Sequence, residues 1–152
     1  RKDYGRDDLM DIEKKREIIM KHYSNPKNKK LPEEEGYEKV NTANSSCVDN
    51  LDIYVKIENN KIKDITFMGE ACAISISSTS IMISSLIGKS IEEAYHYIEQ
   101  FENMVSESSY DKELLGDANA YFDIASQGHR KTCALLPYIG MKKILENYRK
   151  EK

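Results

Sequence analysis

The residues with the most chemistry to offer in this 152-residue chain are its three cysteines, Cys47, Cys72 and Cys133. Cys47 stands two positions from a carboxylate in Asn44-Ser45-Ser46-Cys47-Val48-Asp49-Asn50. Thiolates bind soft and borderline metal ions, and zinc takes four N, S or O ligands in a tetrahedron. A thiol of low pKa is equally suited to nucleophilic chemistry or to carrying sulfur as a persulfide. Cys72 falls at a predicted helix N-terminus, where free N–H groups and the dipole favour a thiolate. Arg130, one helical turn before Cys133, adds positive charge there. His129 lies four residues before Cys133, which on a helix puts its ring on the same face. That leaves a Cys133–His129 nucleophile open as well. His22 and His96 read as helix-face residues. No C-x-x-C pair is present, and scattered cysteines also serve as small buried hydrophobes. An odd count does not suggest a disulfide framework, and free thiols fit a reducing cytosol.

Elements have to bring these groups together. Leu51, Ile53, Val55 and Ile57 alternate with Asp52, Tyr54, Lys56 and Glu58, the period of a half-buried strand. Asn59-Asn60 signals a tight turn, since Asn tolerates left-handed backbone. Residues 61–68 return as a second strand. Its apolar residues Ile62, Ile65, Phe67 and Met68 fall on both faces, so either both faces are covered or the pattern slips. Residues 37–42 add a short strand before the Cys47 segment. An antiparallel hairpin returns its far end beside its near end. Cys47 and Asp49, before the first long strand, should therefore meet Cys72, after the second. Cys133 has to reach them from a C-terminal helix.

The helices follow from period and punctuation. Leu9, Ile12, Ile19 and Tyr23 recur at helical spacing, predicting an amphipathic helix over about residues 7–23 that Asn25-Pro26 ends. Residues 73–87 form a Ser-rich helix stopped by Gly88, its small side chains permitting close packing. Ser90 and Glu93 make a capping box that opens a helix to about Met104. Residues 106–116 read as irregular, and 117–126 as a short helix with Asp117 as N-cap. Residues 130–148 have helical periodicity with Pro137 inside. Either that helix bends at Pro137, or it begins there with Cys133 on the preceding turn.

Composition bounds the rest. The length predicts one domain with a real core, and 39% hydrophobic with 32% charged residues is that of a soluble globular protein. A net charge of -3 supplies no basic field for nucleic acid or an anionic membrane. The stretch 74–87 is too short and too rich in Ser to span a bilayer. The chain begins at Arg1 without an apolar run that reads as a secretory signal.

Four ordered motifs resemble the iron–sulfur cluster assembly scaffolds of the SufU/IscU/NifU N-terminal type. His22-Tyr23-Ser24-Asn25-Pro26-Lys27-Asn28 is similar to H-Y-x-N-P-R-N. Asn44-Ser45-Ser46-Cys47-Val48-Asp49 is similar to N-P-x-C-G-D. Gly69-Glu70-Ala71-Cys72-Ala73-Ile74-Ser75 with the serines after it resembles G-x-G-C-[AS]-I-S-x-A-S. Arg130-Lys131-Thr132-Cys133-Ala134-Leu135-Leu136 resembles R-x-K-C-A-T-L, and Leu115-Gly116-Asp117 also fits. The long gap from Cys72 to Cys133, Thr132 where the IscU branch has His, and the lack of an L-P-P-V-K motif place the resemblance nearest SufU. Ser45, Val48 and Ala71 depart from the usual Pro, Gly and Gly.

The resemblance implies an α/β (α+β) fold of SufE/NifU-like type over residues 1–152: an N-terminal helix at about 7–24, a small three-stranded antiparallel meander at 37–69, and helices at 73–149 packed on one face. It implies a zinc site of Cys47, Asp49, Cys72 and Cys133, with Cys47 as persulfide acceptor from a SufS-like cysteine desulfurase and Arg130 supporting it. The IscU-like alternative is a transient [2Fe–2S] cluster on Cys47, Cys72 and Cys133, passed to apo-proteins or carriers. A structural zinc module in an interaction protein is the lesser alternative. The expected location is cytoplasmic, without nucleic acid or membrane as partner.

Overall fold

The computed structural model describes residues 11–151 other than residue 46. The elements in order are α1 (Ile12–Ser24), β1 (Glu38–Ala43), β2 (Asn50–Glu58), β3 (Lys61–Glu70), α2 (Ala73–Leu86), α3 (Ile91–Val105), α4 (Lys112–Leu115), a 3-10 segment (Gly116–Ser126) and α5 (Gly128–Lys150). This is the expected α+β arrangement, with one antiparallel sheet ordered β1-β2-β3.

Period two in β2 buries Leu51, Ile53 and Val55 completely under the helices. The mixed pattern of β3 has a physical cause. The pairing register shifts between Lys56 and Ile57, so Ile62 and Ile65 are both buried although three positions apart. Asn59 and Asn60 take φ of 52 and 63, the left-handed pair of a two-residue hairpin turn. At the other end of the hairpin Asn50 pairs with Glu70. Gly69 sits there at φ +127, and a Cβ on it would lie 2.2 Å from the carbonyl oxygen of Asn50. Only glycine lets the two strands close at the end where the thiols sit. The free edge of β3 is covered by the segment after α1: Phe67 N–H donates to the Asn28 carbonyl at 3.1 Å, and the Asn28 amide donates to the Ile65 carbonyl at 2.9 Å.

Helix α2 is buried on nearly every side, including Ser75, Ser77, Ser78, Thr79 and Ser80. Its hydroxyls are hydrogen-bonded, as buried polar groups must be, Ser77, Ser78 and Thr79 to backbone carbonyls and Ser80 to His22 Nδ1 and Lys27 N–H. Ser78 Oγ donates to the Ala134 carbonyl at 2.7 Å, tying α2 to α5. Helix α5 also lies close on the sheet at Gly140, where a Cβ would stand 3.3 Å from both Ile53 and Thr42. The capping box that opens α3 is complete, with Ser90 Oγ accepting from Glu93 N–H and the Glu93 carboxylate accepting from Ser90 N–H.

Several boundaries differ from the sequence pattern. Within the described residues α1 begins at Ile12, capped by the Asp11 carboxylate, which accepts from Lys14 N–H at 2.7 Å. The predicted positions 7–10, with Leu9, lie outside the described residues. The buried residue of α1 is Ile18, whereas Ile12 and Tyr23 are 70% and 44% exposed. Its packing on α2 is centred one position from the predicted stripe. Residues 106–116, predicted irregular, contain the short α4, capped by Asp111 accepting from Leu114 N–H. Asp117 is not the N-cap of 117–126, because the segment begins at Gly116 with Leu115 in the cap position and Asp117 within its first turn. That segment is 3-10, and the Asp117 carboxylate faces His22 Nε2 at 3.6 Å instead. Helix α5 neither starts nor stops at Pro137; it runs through it from Gly128, with Cys133 inside.

Candidate metal centre

The β1–β2 connection is short and closes on itself. Asn44 N–H donates to the Asp49 carbonyl at 3.0 Å, and Cys47 N–H donates to the Asn44 carbonyl at 3.1 Å. This fold of the chain turns Asp49 inward, where it is 1% exposed, and leaves Cys47 half-buried. Val48 between them is 74% exposed. It does not take the left-handed backbone that a glycine in its place would permit, since among the described residues only Asn28, Asn59, Asn60 and Glu107 do so without being glycine.

Cys72 is the N-cap of α2 and makes no side-chain capping bond. Its N–H instead donates to Asp49 Oδ1 at 2.7 Å, and its Sγ stands 3.6 Å from Asp49 Oδ2. The hairpin has thus returned its two ends to one place, and the helix N-terminus holds the carboxylate. Cys133 arrives from α5, buried, with the Asn44 amide 3.9 Å from its Sγ. Asp49, Cys72 and Cys133 have their ligand atoms within 4.8 Å of one another. Cys47, His129 and Cys133 form a second such group, with Cys47 Sγ 3.5 Å from His129 Nε2. Of the four residues expected to meet, three converge tightly. The fourth, Cys47, joins them through Cys133 and brings His129 with it.

Electrostatics separate the partners. Burial opposes ionisation of Asp49, but hydrogen bonds from the Ser75 hydroxyl, Cys72 N–H and the Cys133 and Cys72 thiols outweigh it and hold the carboxyl below its ordinary value. Burial pushes the Cys133 thiol far up, and the neighbouring Asp49 and Cys72 push it further. A buried thiol beside a buried carboxylate gives a neutral and an anionic donor, so a cation taking both must displace the thiol proton. Two sulfurs and a carboxylate oxygen, with a third sulfur and an imidazole alongside, fit a borderline ion such as Zn²⁺ by donor chemistry.

Three contributors had no expected role at the metal site, although Ser75 and Asn44 stand in the motifs. Ser75 Oγ stands 2.6 Å from Asp49 Oδ2 and 3.0 Å from the Cys133 carbonyl oxygen. Its signal was the three-residue spacing from Cys72, which on a helix shares a face. Asn44 was visible only as a motif letter, and His129 only as a neighbour of Cys133. Arg130 is exposed and lines, with Cys72, His129 and Cys133, a groove of ≈ 630 Å³ that α1 walls with Ile12, Ile19 and Met20. His22 lies away from the thiols, its Nδ1 2.7 Å from Ser80 Oγ.

The chain is similar to known proteins in sequence and in fold. The model of the NifU-like N terminal domain matches residues 14–134. The chain is 33% identical over 129 residues to the zinc-dependent sulfurtransferase SufU of Bacillus subtilis, covering 84% of this chain and 86% of that one. It is 33% identical over 103 residues to the iron-sulfur cluster assembly scaffold protein IscU of Thermotoga maritima, covering 68% and 72%. A crystal structure from Fervidobacterium islandicum AW-1, assigned to scaffolding of iron–sulfur cluster assembly for the SUF system, superposes with a TM-score of 0.77 at 32% identity, over 85% of this chain and 94% of that one. With its thiols, carboxylate and fold in that arrangement, the chain belongs to the NifU-like N terminal domain family.

Proposed function

We propose that this chain, acting as one domain, is an iron–sulfur cluster assembly protein of the SufU kind, which accepts sulfur from a cysteine desulfurase and depends on zinc. The observation that carries the reading is the convergence of Asp49, Cys72 and Cys133 within 4.8 Å, with Cys47 half-buried at the rim. Asp49, Cys72 and Cys133 would hold the ion, with Cys47 as the fourth donor. Bound zinc would keep these thiols deprotonated at neutral pH. Cys47 is the sulfur carrier in this reading because it lies in the β1–β2 connection beside the exposed Val48, whereas Cys72 is seated at the N-terminus of α2 and Cys133 is buried. Its thiolate bonds to the outer sulfur of the desulfurase persulfide, and the desulfurase cysteine leaves as thiolate, with no net oxidation. Arg130, at the groove beside the site, offers positive charge to the incoming persulfide. The expected partners are a cysteine desulfurase and the apo-proteins or carriers that use the sulfur, in the cytoplasm. Among the described residues no helix is long and apolar enough to cross a membrane.

Metal analysis of protein purified without chelator, together with sulfur transfer from a desulfurase, tests this. The expected result is about one zinc per chain, lost in Cys133→Ser, and no persulfide on Cys47→Ala protein. A Cys47→Ala protein that takes up sulfur like the parent would remove the carrier role. A second reading, a scaffold on which a [2Fe–2S] cluster is built, draws on the second donor group of Cys47, His129 and Cys133. Five donors, with the Cys133 sulfur shared between the two groups, suit more than one metal ion. Anaerobic reconstitution with iron and sulfide, followed by visible absorption, separates the two. A scaffold should show a cluster spectrum that Asp49→Ala makes longer-lived.

A further inference from the structure

Helix α5 carries Pro137 in its interior. Proline has no N–H, so the carbonyl of Cys133 lacks the donor that the helix would otherwise supply four residues on. Ser75 Oγ stands 3.0 Å from that oxygen. The same Oγ stands 2.6 Å from Asp49 Oδ2, and the hydroxyl is fully buried. A serine hydroxyl has one proton and can serve one of these two acceptors at a time.

Charge decides which acceptor takes it. A free carboxylate is the stronger acceptor. With no cation on Asp49, the proton points to Oδ2 and the Cys133 carbonyl is left without it. A cation on Asp49 draws off carboxylate charge and weakens it as an acceptor, so the proton turns to the carbonyl. We infer that Ser75 and Pro137 form a hydroxyl switch beneath the site, in which the proline withholds a donor from the Cys133 carbonyl so that loading Asp49 hands the Ser75 proton to it. This rests on the reading of Asp49 as a metal ligand.

The consequence is a preference for the loaded state. The hydrogen bond weakened at Asp49 on loading is replaced at Cys133. Were residue 137 to carry an N–H, the carbonyl would be satisfied in both states and the replacement would add nothing. Ser75 and Pro137 are positioning residues that act through Asp49 and the backbone of Cys133.

The test is Zn²⁺ affinity by chelator competition for the parent, Pro137→Ala, Ser75→Ala and the double variant. Folding is checked by circular dichroism, and the ligand field by Co²⁺ absorption. Pro137→Ala should bind zinc roughly three- to tenfold more weakly than the parent, the worth of one hydrogen bond. In the Ser75→Ala background the same change should move the affinity less than about twofold. Equal weakening in both backgrounds, or an unchanged or tighter Pro137→Ala protein, overturns the switch. The Pro137→Ala result alone decides against it if Ser75→Ala does not fold. Asp49→Ala keeps the two ideas apart. If it binds zinc as tightly as the parent, the ligand reading fails and the switch with it. If it binds weakly while Pro137→Ala matches the parent, only the switch fails.

Discussion

Asp49 has the most unusual surroundings of any residue here: a carboxylate 1% exposed, held by a helix N-cap N–H and a buried hydroxyl. Its folded-state pKa lies below the ordinary value of about 3.9 despite burial. The sign follows directly. A depressed carboxyl contributes stability above its unfolded pKa, and that contribution is lost as pH falls through the folded value. In metal-free protein, Asp49→Asn should therefore cost roughly 1–3 kcal/mol at pH 7, the scale of hydrogen bonds to a charged group. The deficit should narrow as pH drops below about 4. Urea unfolding with chelator at several pH values measures it, and a deficit constant from pH 7 to pH 3 would contradict the assignment. The residue-level facts were unevenly visible beforehand. A carboxylate two positions from a thiol was plain in the sequence. The hydroxyl that steadies it was not, because Ser75 is one of a crowd of serines and only the fold tells which of them faces the carboxylate.

Among the elements, the hairpin was readable, and so was a C-terminal helix containing Pro137, but not where that helix packs. Alternation in β2 and the Asn59-Asn60 turn suffice to bring Asp49 to Cys72, and the capping box marked the start of α3 correctly. The bulge at Lys56/Ile57 and the passage of α5 through Pro137 depend on contacts from elsewhere in the chain, which periodicity cannot carry. The closeness of α5 to the sheet depends on one small residue, Gly140. Gly140 leaves room for no more than a hydrogen between the helix and Ile53 or Thr42 without displacement. Gly140→Leu should push α5 off the sheet and destabilise the fold by about 1–3 kcal/mol, as overpacking does. Because α5 carries Cys133, zinc affinity should fall with it. Thermal unfolding with a parallel chelator competition checks both effects. A destabilised protein with parental affinity would show that Cys133 is held by something other than this contact.

At the scale of the molecule, the site joins segments that the core already holds. The buried cluster of Leu51, Ile53, Phe67, Met82, Phe101, Tyr121 and Tyr138 contains neither Cys47, Asp49 nor Cys72. Removing metal should thus leave the secondary structure intact, unlike a zinc finger, which unfolds. Saturating zinc should raise the unfolding temperature, by an amount equivalent to about 4 kcal/mol at a thousandfold excess over Kd. Far-UV circular dichroism and calorimetry with zinc and with chelator report this, and loss of helix signal on chelation would contradict it. The overall class was legible because the strands and the helices carry distinct hydrophobic periods, and the convergence of Cys133 was not, because it depends on how α5 is seated. That seating has a further meaning. Hydroxyls of Ser78 and Thr42 grip the backbone carbonyls of Ala134 and Leu136, in the turn that follows Cys133. A carbonyl is common to all twenty residue types, so these two grips are blind to side-chain identity. Over generations α5 can exchange the side chains at those positions, within the space its neighbours leave, and still deliver a sulfur atom to the same address.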